Sequence, residues 1–315
     1  MKILLDLTKL VNEGKLTLAQ AEELKQLAAR DTSLLAINIL MAFGTIAVAG
    51  GVLFLVPSLL TAAAIALLLI AGGLVLSYRA GPQWTILGTA TVIVGVLWLC
   101  GTGLAFADGN WPGYAFATII CLACAAAIRS GLLSALAALA LAATLGSSTE
   151  YETASYILII REPTITIVCF GVLAWGAYLL ANRVPADYES PALMFARMSL
   201  VLVNFGFWVG SLWGDDPARK WLERAGIAPL HLPDIGFAVA WAAGLIAVGV
   251  WATRANRRFV VNTAATFLAI DFYTQYFERL GADPLSIMLG GLLVIAIAVA
   301  LWRYNAATRP AKAAA

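Results

Sequence analysis

Residues 32–78 read TSLLAINILMAFGTIAVAGGVLFLVPSLLTAAAIALLLIAGGLVLSY, 47 consecutive positions without an Asp, Glu, Lys or Arg. The hydrocarbon core of a bilayer is about 30 Å thick and takes roughly 20 helical residues to cross. The stretch therefore holds two crossings. Pro57-Ser58 marks the break, because proline cannot continue a helix and pushes the residue before it towards extended geometry. Helices are expected near 34–55 and 59–78. Outward from there, charge-free runs of 17 to 28 residues recur at 80–107, 109–128, 130–149, 163–182, 198–214, 235–253 and 284–302. They predict spans near 84–106, 112–128, 131–147, 164–182, 195–213, 236–253 and 285–303. The segment 259–277, interrupted only by Asp271, supplies another. The fold class that follows is all-α: a polytopic helical membrane protein with about ten transmembrane helices over residues 33–303.

Composition agrees. Of the 315 residues 62% are hydrophobic and 12% charged, against about 25% charged in an average soluble domain. Basic residues set the orientation, since short cytoplasmic loops are enriched in Lys and Arg. With ten spans, one face collects the N-terminal segment, Arg79, Arg129, Arg183, Arg197, Arg254, Arg257, Arg258, Arg303, Arg309 and Lys312. The other keeps Arg161, Arg219, Lys220, Arg224 and Arg279. The split predicts N-in and C-in topology in a bacterial plasma (inner) membrane, with residues 304–315 as a flexible cytoplasmic tail. The first ten residues already carry Asp6 and lack the pattern of a cleaved signal peptide, so the first span is expected to act as an uncleaved signal-anchor. Trp84, Trp111, Trp213, Trp251 and Trp302 fall near predicted span ends, where indole rings favour the interface. The short Ala-rich spans flanking Arg129 are the weakest pair.

Residues 1–32 read as a small cytoplasmic helical hairpin. Ile3, Leu4, Leu7, Leu10 and Val11 make one apolar stripe, and Gly14 suits a helix stop. Thr17 and Gln20 have the spacing of a capping box that opens a second helix. Residues 10–21, of the form Leu-Val-x-x-Gly-x-Leu-Thr-x-x-Gln-Ala, resemble a hairpin that precedes many membrane helices in a prokaryotic family of multipass membrane proteins known only as a domain of unknown function. The resemblance covers the hairpin and the span layout. It implies no activity and assigns no functional residue. The hairpin reads either as a cap on the inner membrane surface or as a docking module for a cytoplasmic protein partner.

Asp271 is the one acid well inside a predicted span. Thr274, Gln275 and Glu278 follow at i+3, i+4 and i+7, so one helical face turns polar. An intramembrane carboxylate is costly and is paired, protonated or facing a cavity. The set Asp271, Thr274, Gln275 and Glu278, joined by Asn204 from the span 195–213, is the candidate ligand or ion pathway. It is weighed against a helix end whose acid simply packs on a neighbour. Asn204 must find a hydrogen bond in its apolar run and is expected to bridge helices. Gly206, Gly210 and Gly214 form a small-x-x-x-small series that lets another helix approach closely.

The connection 215–234 holds a second, acidic candidate set: Asp215, Asp216, His231 and Asp234. Asp216-Pro217 predicts an N-cap and first helical residue, with a short helix over 218–225 stopped by Gly226. A cation site there competes with ordinary solvated loops, because no ligand spacing is recognisable. The connection 148–163 is expected to be a loop carrying Glu150, Glu152, Arg161 and Glu162. Cys100, Cys121, Cys124 and Cys169 lie in apolar runs and are expected to pack. Cys121 and Cys124 make a C-x-x-C, but with a single histidine in the chain no metal site or cofactor is expected.

Three functions remain. One is a transporter-like or small-solute-binding bundle moving a small solute, proton or cation at Asp271. The second is a membrane-anchored scaffold or sensor that docks a protein through residues 1–32. The third is a membrane enzyme acting on a lipid-linked substrate at the outer face through Asp215, Asp216 or Glu152. The expected environment is the lipid bilayer. No nucleic acid partner is expected.

Overall fold

The computed structural model describes residues 17, 20–22, 37, 40, 41, 43–52, 54–152, 155–226, 228, 230–280 and 284–307. Most of the predicted hairpin 1–32 and residues 308–315 of the tail lie outside them. Of that hairpin, Thr17 and Gln20 are placed with reciprocal bonds: Thr17 N donates to Gln20 Oε1 at 3.0 Å and Gln20 N to Thr17 Oγ1 at 3.3 Å.

Among the described residues the secondary structure is helical apart from one short antiparallel hairpin. In order the elements are α1 (Phe43–Val52), α2 (Leu59–Arg79), α3 (Thr85–Phe106), α4 (Trp111–Ile128), α5 (Gly131–Thr144), β1 (Ser147–Glu152), β2 (Ser155–Ile160), α6 (Pro163–Ala181), α7 (Ala186–Trp213), α8 (Arg219–Arg224), α9 (Asp234–Arg254), α10 (Arg258–Leu280) and α11 (Pro284–Ala307). Among the described residues, six helices are long and apolar enough to cross a membrane: α2, α3, α4, α6, α7 and α9. Their outer surfaces suit lipid. Leu60, Leu68, Ile119, Val172 and Val239 are between 62% and 75% exposed, so the helices are apolar on the surface as well as inside. Hydroxyl and amide groups turn back on their own helices, as where Thr102 Oγ1 donates to Trp98 O and Thr118 Oγ1 to Tyr114 O, both at 2.9 Å. Such bonds satisfy polar side chains where no water is at hand.

The chain divides into two compact units, residues 1–133 and 134–315. In the first, Ser58 caps α2 by accepting from Thr61 N at 3.0 Å. The backbones of α2 and α3 touch along a glycine seam. A Cβ added at Gly88 would lie 2.8 Å from Gly73 O, and one at Gly95 would lie 2.9 Å from Ala66 O. The α3–α4 turn uses left-handed Asp108 and Gly109. Cys100 Sγ then lies 3.8 Å from Cys121 Sγ, and Cys100, Cys121 and Cys124 are all buried and unbridged.

The second unit is organised around α7. Leu202 packs with Ala138, Ala142 and Phe170 on one side. On the other, Phe205, Phe207 and Trp208 pack on Trp241 and Leu245 of α9 and on Ala264 and Phe267 of α10.

Several expectations change. The predicted span 131–147 ends at Thr144, so α5 has 14 residues and rises only about 21 Å at 1.5 Å per residue. Gly146, at φ +93°, turns the chain into β1. Residues 148–152 and 155–160 are therefore not a loop but strands of the hairpin, with Ser147 paired to Ile160 and Glu152 to Ser155. Helix α7 begins at Ala186, nine residues before the predicted 195. Its first turn carries Asp187 and Glu189, acids that suit a helix N-terminus but mimic a connection in the sequence. The C-terminal helix continues to Ala307, four residues into the predicted tail. Helix α10 is long, yet with Asn262, Asp271, Gln275 and Glu278 along it, it is not among the six helices apolar enough to cross a membrane.

Candidate functional site

Helix α10 delivers its polar face to α7. Trp208 Nε1 donates to Thr274 Oγ1 at 3.1 Å, and Gln275 Nε2 donates to Ser211 O at 3.3 Å. One turn earlier on that face stands Asp271. It is 4% exposed, and its Oδ1 is buried with no hydrogen-bond partner among the described residues. Glu278, by contrast, is exposed. The four candidates thus separate: Thr274 and Gln275 tie the helices together, Glu278 meets the surroundings, and Asp271 holds an unsatisfied acceptor inside.

Beside this face lies a recess of about 440 Å³, lined by Trp208, Thr266, Tyr273 and Thr274 together with apolar groups of α10 and α11 such as Ala269 and Ile297. Its lining includes Ile270, Tyr273 and Thr274, on either side of Asp271 in the helix, while Asp271 itself is not part of the wall.

Asn204 is 4% exposed and bridges helices. Its Nδ2 donates to Leu200 O at 2.8 Å, and its Oδ1 accepts from Trp241 Nε1 at 2.9 Å. It does not join the Asp271 set. It lines a separate recess of about 110 Å³ with Phe207, Trp241 and Thr263. Trp241, 1% exposed, went unnoticed in the sequence. The available signal was its place near the middle of an apolar run, away from the interfacial tryptophans.

Gly206 and Gly210 of α7 and Gly214 just beyond it serve three partners rather than one helix. A Cβ at Gly206 would come 2.9 Å from Ile167 Cγ1 of α6, and one at Gly210 would come 2.6 Å from Phe237 Cδ1 of α9. Gly214 lies past the helix end at φ +69°. There a Cβ would stand 2.7 Å from Leu232 O.

The acidic connection is built as a clasp. Asp215, 8% exposed, accepts from Thr164 N at 2.8 Å with Oδ2, capping α6. Its backbone pairs with Leu232 in both directions, at 3.0 and 2.8 Å. Glu162 reciprocates: its Oε2 accepts from Ala218 N at 3.2 Å. That contact displaces the predicted helix start. Pro217 and Ala218 form a turn, Ala218 at φ +54°, and α8 begins at Arg219 rather than at Pro217. Gly226, at φ +71°, follows the helix end. Asp216 Oδ1 lies 2.7 Å from His231 Nδ1, and its Oδ2 lies 3.4 Å from Arg219. Arg219 also binds Glu223 Oε1 at 2.8 Å. That hydrogen bond, followed by the charges of Glu223 and Asp216, raises the guanidinium above its ordinary range. Asp234 is exposed at the first position of α9, after Pro233. No group of three or more His, Cys, Asp or Glu side chains among the described residues is arranged to hold a metal ion. The arrangement is chemically that of a folded connection whose acids are engaged with backbone amides and basic side chains.

Comparison of the chain with protein-family models, with curated proteins and with solved structures finds no match.

Proposed function

We propose that this chain is a transporter-like, small-solute-binding membrane bundle whose working group is Asp271. The observation that carries this reading is a buried carboxylate with an unpartnered oxygen, on a helix face otherwise fixed by two interhelical hydrogen bonds. An intramembrane ionisable group that packing does not satisfy marks an ion or solute pathway. The adjoining 440 Å³ recess, with Thr274 and Tyr273 on its wall, supports it by offering space for a small solute one helical turn from the carboxyl. The finer topology belongs to the same proposal: about ten spans, both termini cytoplasmic, in a bacterial plasma membrane. The distribution of basic residues and the prokaryotic resemblance of residues 10–21 support it. The enzyme reading loses ground, because the Asp215 carboxylate is already engaged in capping α6.

The test is flux through the purified protein in liposomes loaded with a pH-sensitive dye and holding an imposed pH gradient. A panel of amino acids, sugars and organic cations is added outside. Wild type is expected to dissipate the gradient with at least one solute class. The same solute should give less than about a tenth of that rate with Asp271→Asn, the scale of losing a group required for coupling. An unchanged rate in the folded variant removes Asp271 from the pathway.

A further inference from the structure

Resting on that reading, the geometry points to a proton, carried as the O–H of a neutral Asp271 carboxyl group, as the cation this site handles, and to no metal ion. Asp271 is 4% exposed and its Oδ1 lacks a partner among the described residues. An ionised Oδ1 there would be unsatisfied unless a cation stood beside it, and among the described side chains of the packed helices none is placed next to it. On α7 the charged residues are Asp187, Glu189 and Arg197. Arg197 is stacked over Phe259, at the beginning of α10, with its guanidinium carbon 4.9 Å from the ring centre. At 1.5 Å per residue Phe259 lies about 18 Å along the helix from Asp271. On α9 the charges are Asp234 and Arg254, at its two ends. On α11 the only charge is Arg303, in the last turns. On α10 itself Arg258 lies about 20 Å away and Glu278 and Arg279 about 10 to 12 Å away along the axis. Tyr273 and Tyr276 add phenols on its other faces and no positive charge. The acids of the packed helices, such as Glu278 two turns on, oppose a second negative charge rather than stabilise it.

A metal ion fares no better. Hard cations collect six or more oxygen ligands. Of the oxygen-bearing neighbours at i+3 and i+4, Thr274 Oγ1 already accepts from Trp208 and Gln275 is anchored through its Nε2, which donates to Ser211 O; no group of three or more His, Cys, Asp or Glu side chains among the described residues gathers there. One carboxyl without a ligand shell holds a proton and discriminates against sodium, calcium or magnesium. Loading and release then amount to protonation in the buried arrangement and deprotonation once the α7–α10 contacts part and water or a solute reaches Oδ1.

The experiment is infrared difference spectroscopy of the full-length protein in lipid at neutral pH, wild type against Asp271→Asn. The expected result is a neutral-carboxyl C=O band that shifts on deuteration and vanishes in the variant. Carboxylate bands in its place would overturn the inference. Should the variant not fold, wild type is treated with dicyclohexylcarbodiimide, an apolar reagent that adds to protonated carboxyl groups. An adduct mapped to Asp271, formed equally with and without sodium, calcium or magnesium chloride, is expected. Absence of that adduct, or its suppression by one of these salts at constant pH, overturns the proposal. The two readings fail separately. A neutral carboxyl band with no solute-dependent flux ends the transport reading and leaves the protonated acid standing. Flux that depends on Asp271, together with carboxylate bands, leaves transport standing and removes the resident proton.

Discussion

Asn204 shows what one residue decides in this bundle. Its side chain closes two bonds at once, one to Leu200 O within α7 and one from the Trp241 indole of α9. Asn204→Ala leaves Trp241 Nε1 buried without an acceptor. Side-chain hydrogen bonds between membrane helices average about 0.6 kcal/mol, because the separated helices find other partners. Trp241 is 1% exposed, so the larger penalty for an orphaned buried donor applies, about 1–3 kcal/mol. Thermal unfolding in detergent should show a lower midpoint for Asn204→Ala and partial recovery in Asn204→Leu with Trp241→Phe, which removes donor and acceptor together. Equal midpoints for the single and the double variant would assign the loss to packing instead. The bridging role of Asn204 was legible because a lone amide in an apolar run must find a bond. Its partner was not, since an indole within 235–253 looks the same in sequence whether it faces lipid or a neighbour. Asp271 likewise announced itself as the only acid inside a span. That its neighbours Thr274 and Gln275 were already committed to Trp208 and Ser211 depended on rotational settings of two helices that no periodicity encodes.

At the scale of the element, glycine has two opposite meanings here. At Gly88 the α3 backbone lies against α2, and an added Cβ would stand 2.5 Å from Ser77 Oγ and 2.8 Å from Gly73 O. The first atom can rotate away and the second cannot. Gly88→Ala is therefore expected to force the helices apart and destabilise the fold by about 1–3 kcal/mol. At Gly171 of α6 an added Cβ meets nothing within 4 Å. There Gly171→Ala gains helix propensity, up to about 1 kcal/mol in water and less within a bilayer. Unfolding midpoints of the two variants should move in opposite directions, and a rise for Gly88→Ala would remove the seam as a packing device. The sequence drew attention to Gly206 and Gly210 because they recur every four residues, and these do sit at close approaches, though to two different helices. It gave less notice of Gly73, Gly88 and Gly95, whose seam is shared between two chain segments. The β1–β2 hairpin escaped for another reason. Tyr156, Ile157, Leu158, Ile159 and Ile160 form a β-prone run, but in a chain this apolar such a run merges into the background of the membrane helices.

Across the whole molecule the open question is how the chain threads the bilayer, and α4 and α5 decide it. Helix α4 has 18 residues and α5 has 14, against the roughly 20 that a 30 Å core requires. Three arrangements follow. If both cross, Arg129 is cytoplasmic. If both turn back as a re-entrant pair, only Arg129 changes side and every later loop keeps its place. If α4 alone crosses, all later loops invert, and Arg183, Arg254, Arg257 and Arg258 move outside, against the positive-inside rule. The charge pattern therefore argues against the third arrangement and does not separate the first two, since one arginine shifts the balance little. Single cysteines in a cysteine-free background, probed on intact cells with a membrane-impermeant maleimide, separate them. Cysteines at Asn110 and Asn256 should be labelled and protected, respectively, in either case. A protected cysteine at Ser130 is expected for the ten-span bundle. Labelling at Ser130 alongside protection at Asn256 would reduce the count to eight spans. It would leave the Asp271 helix running in the same direction, so the proton-carrying site and its outward polarity survive either outcome.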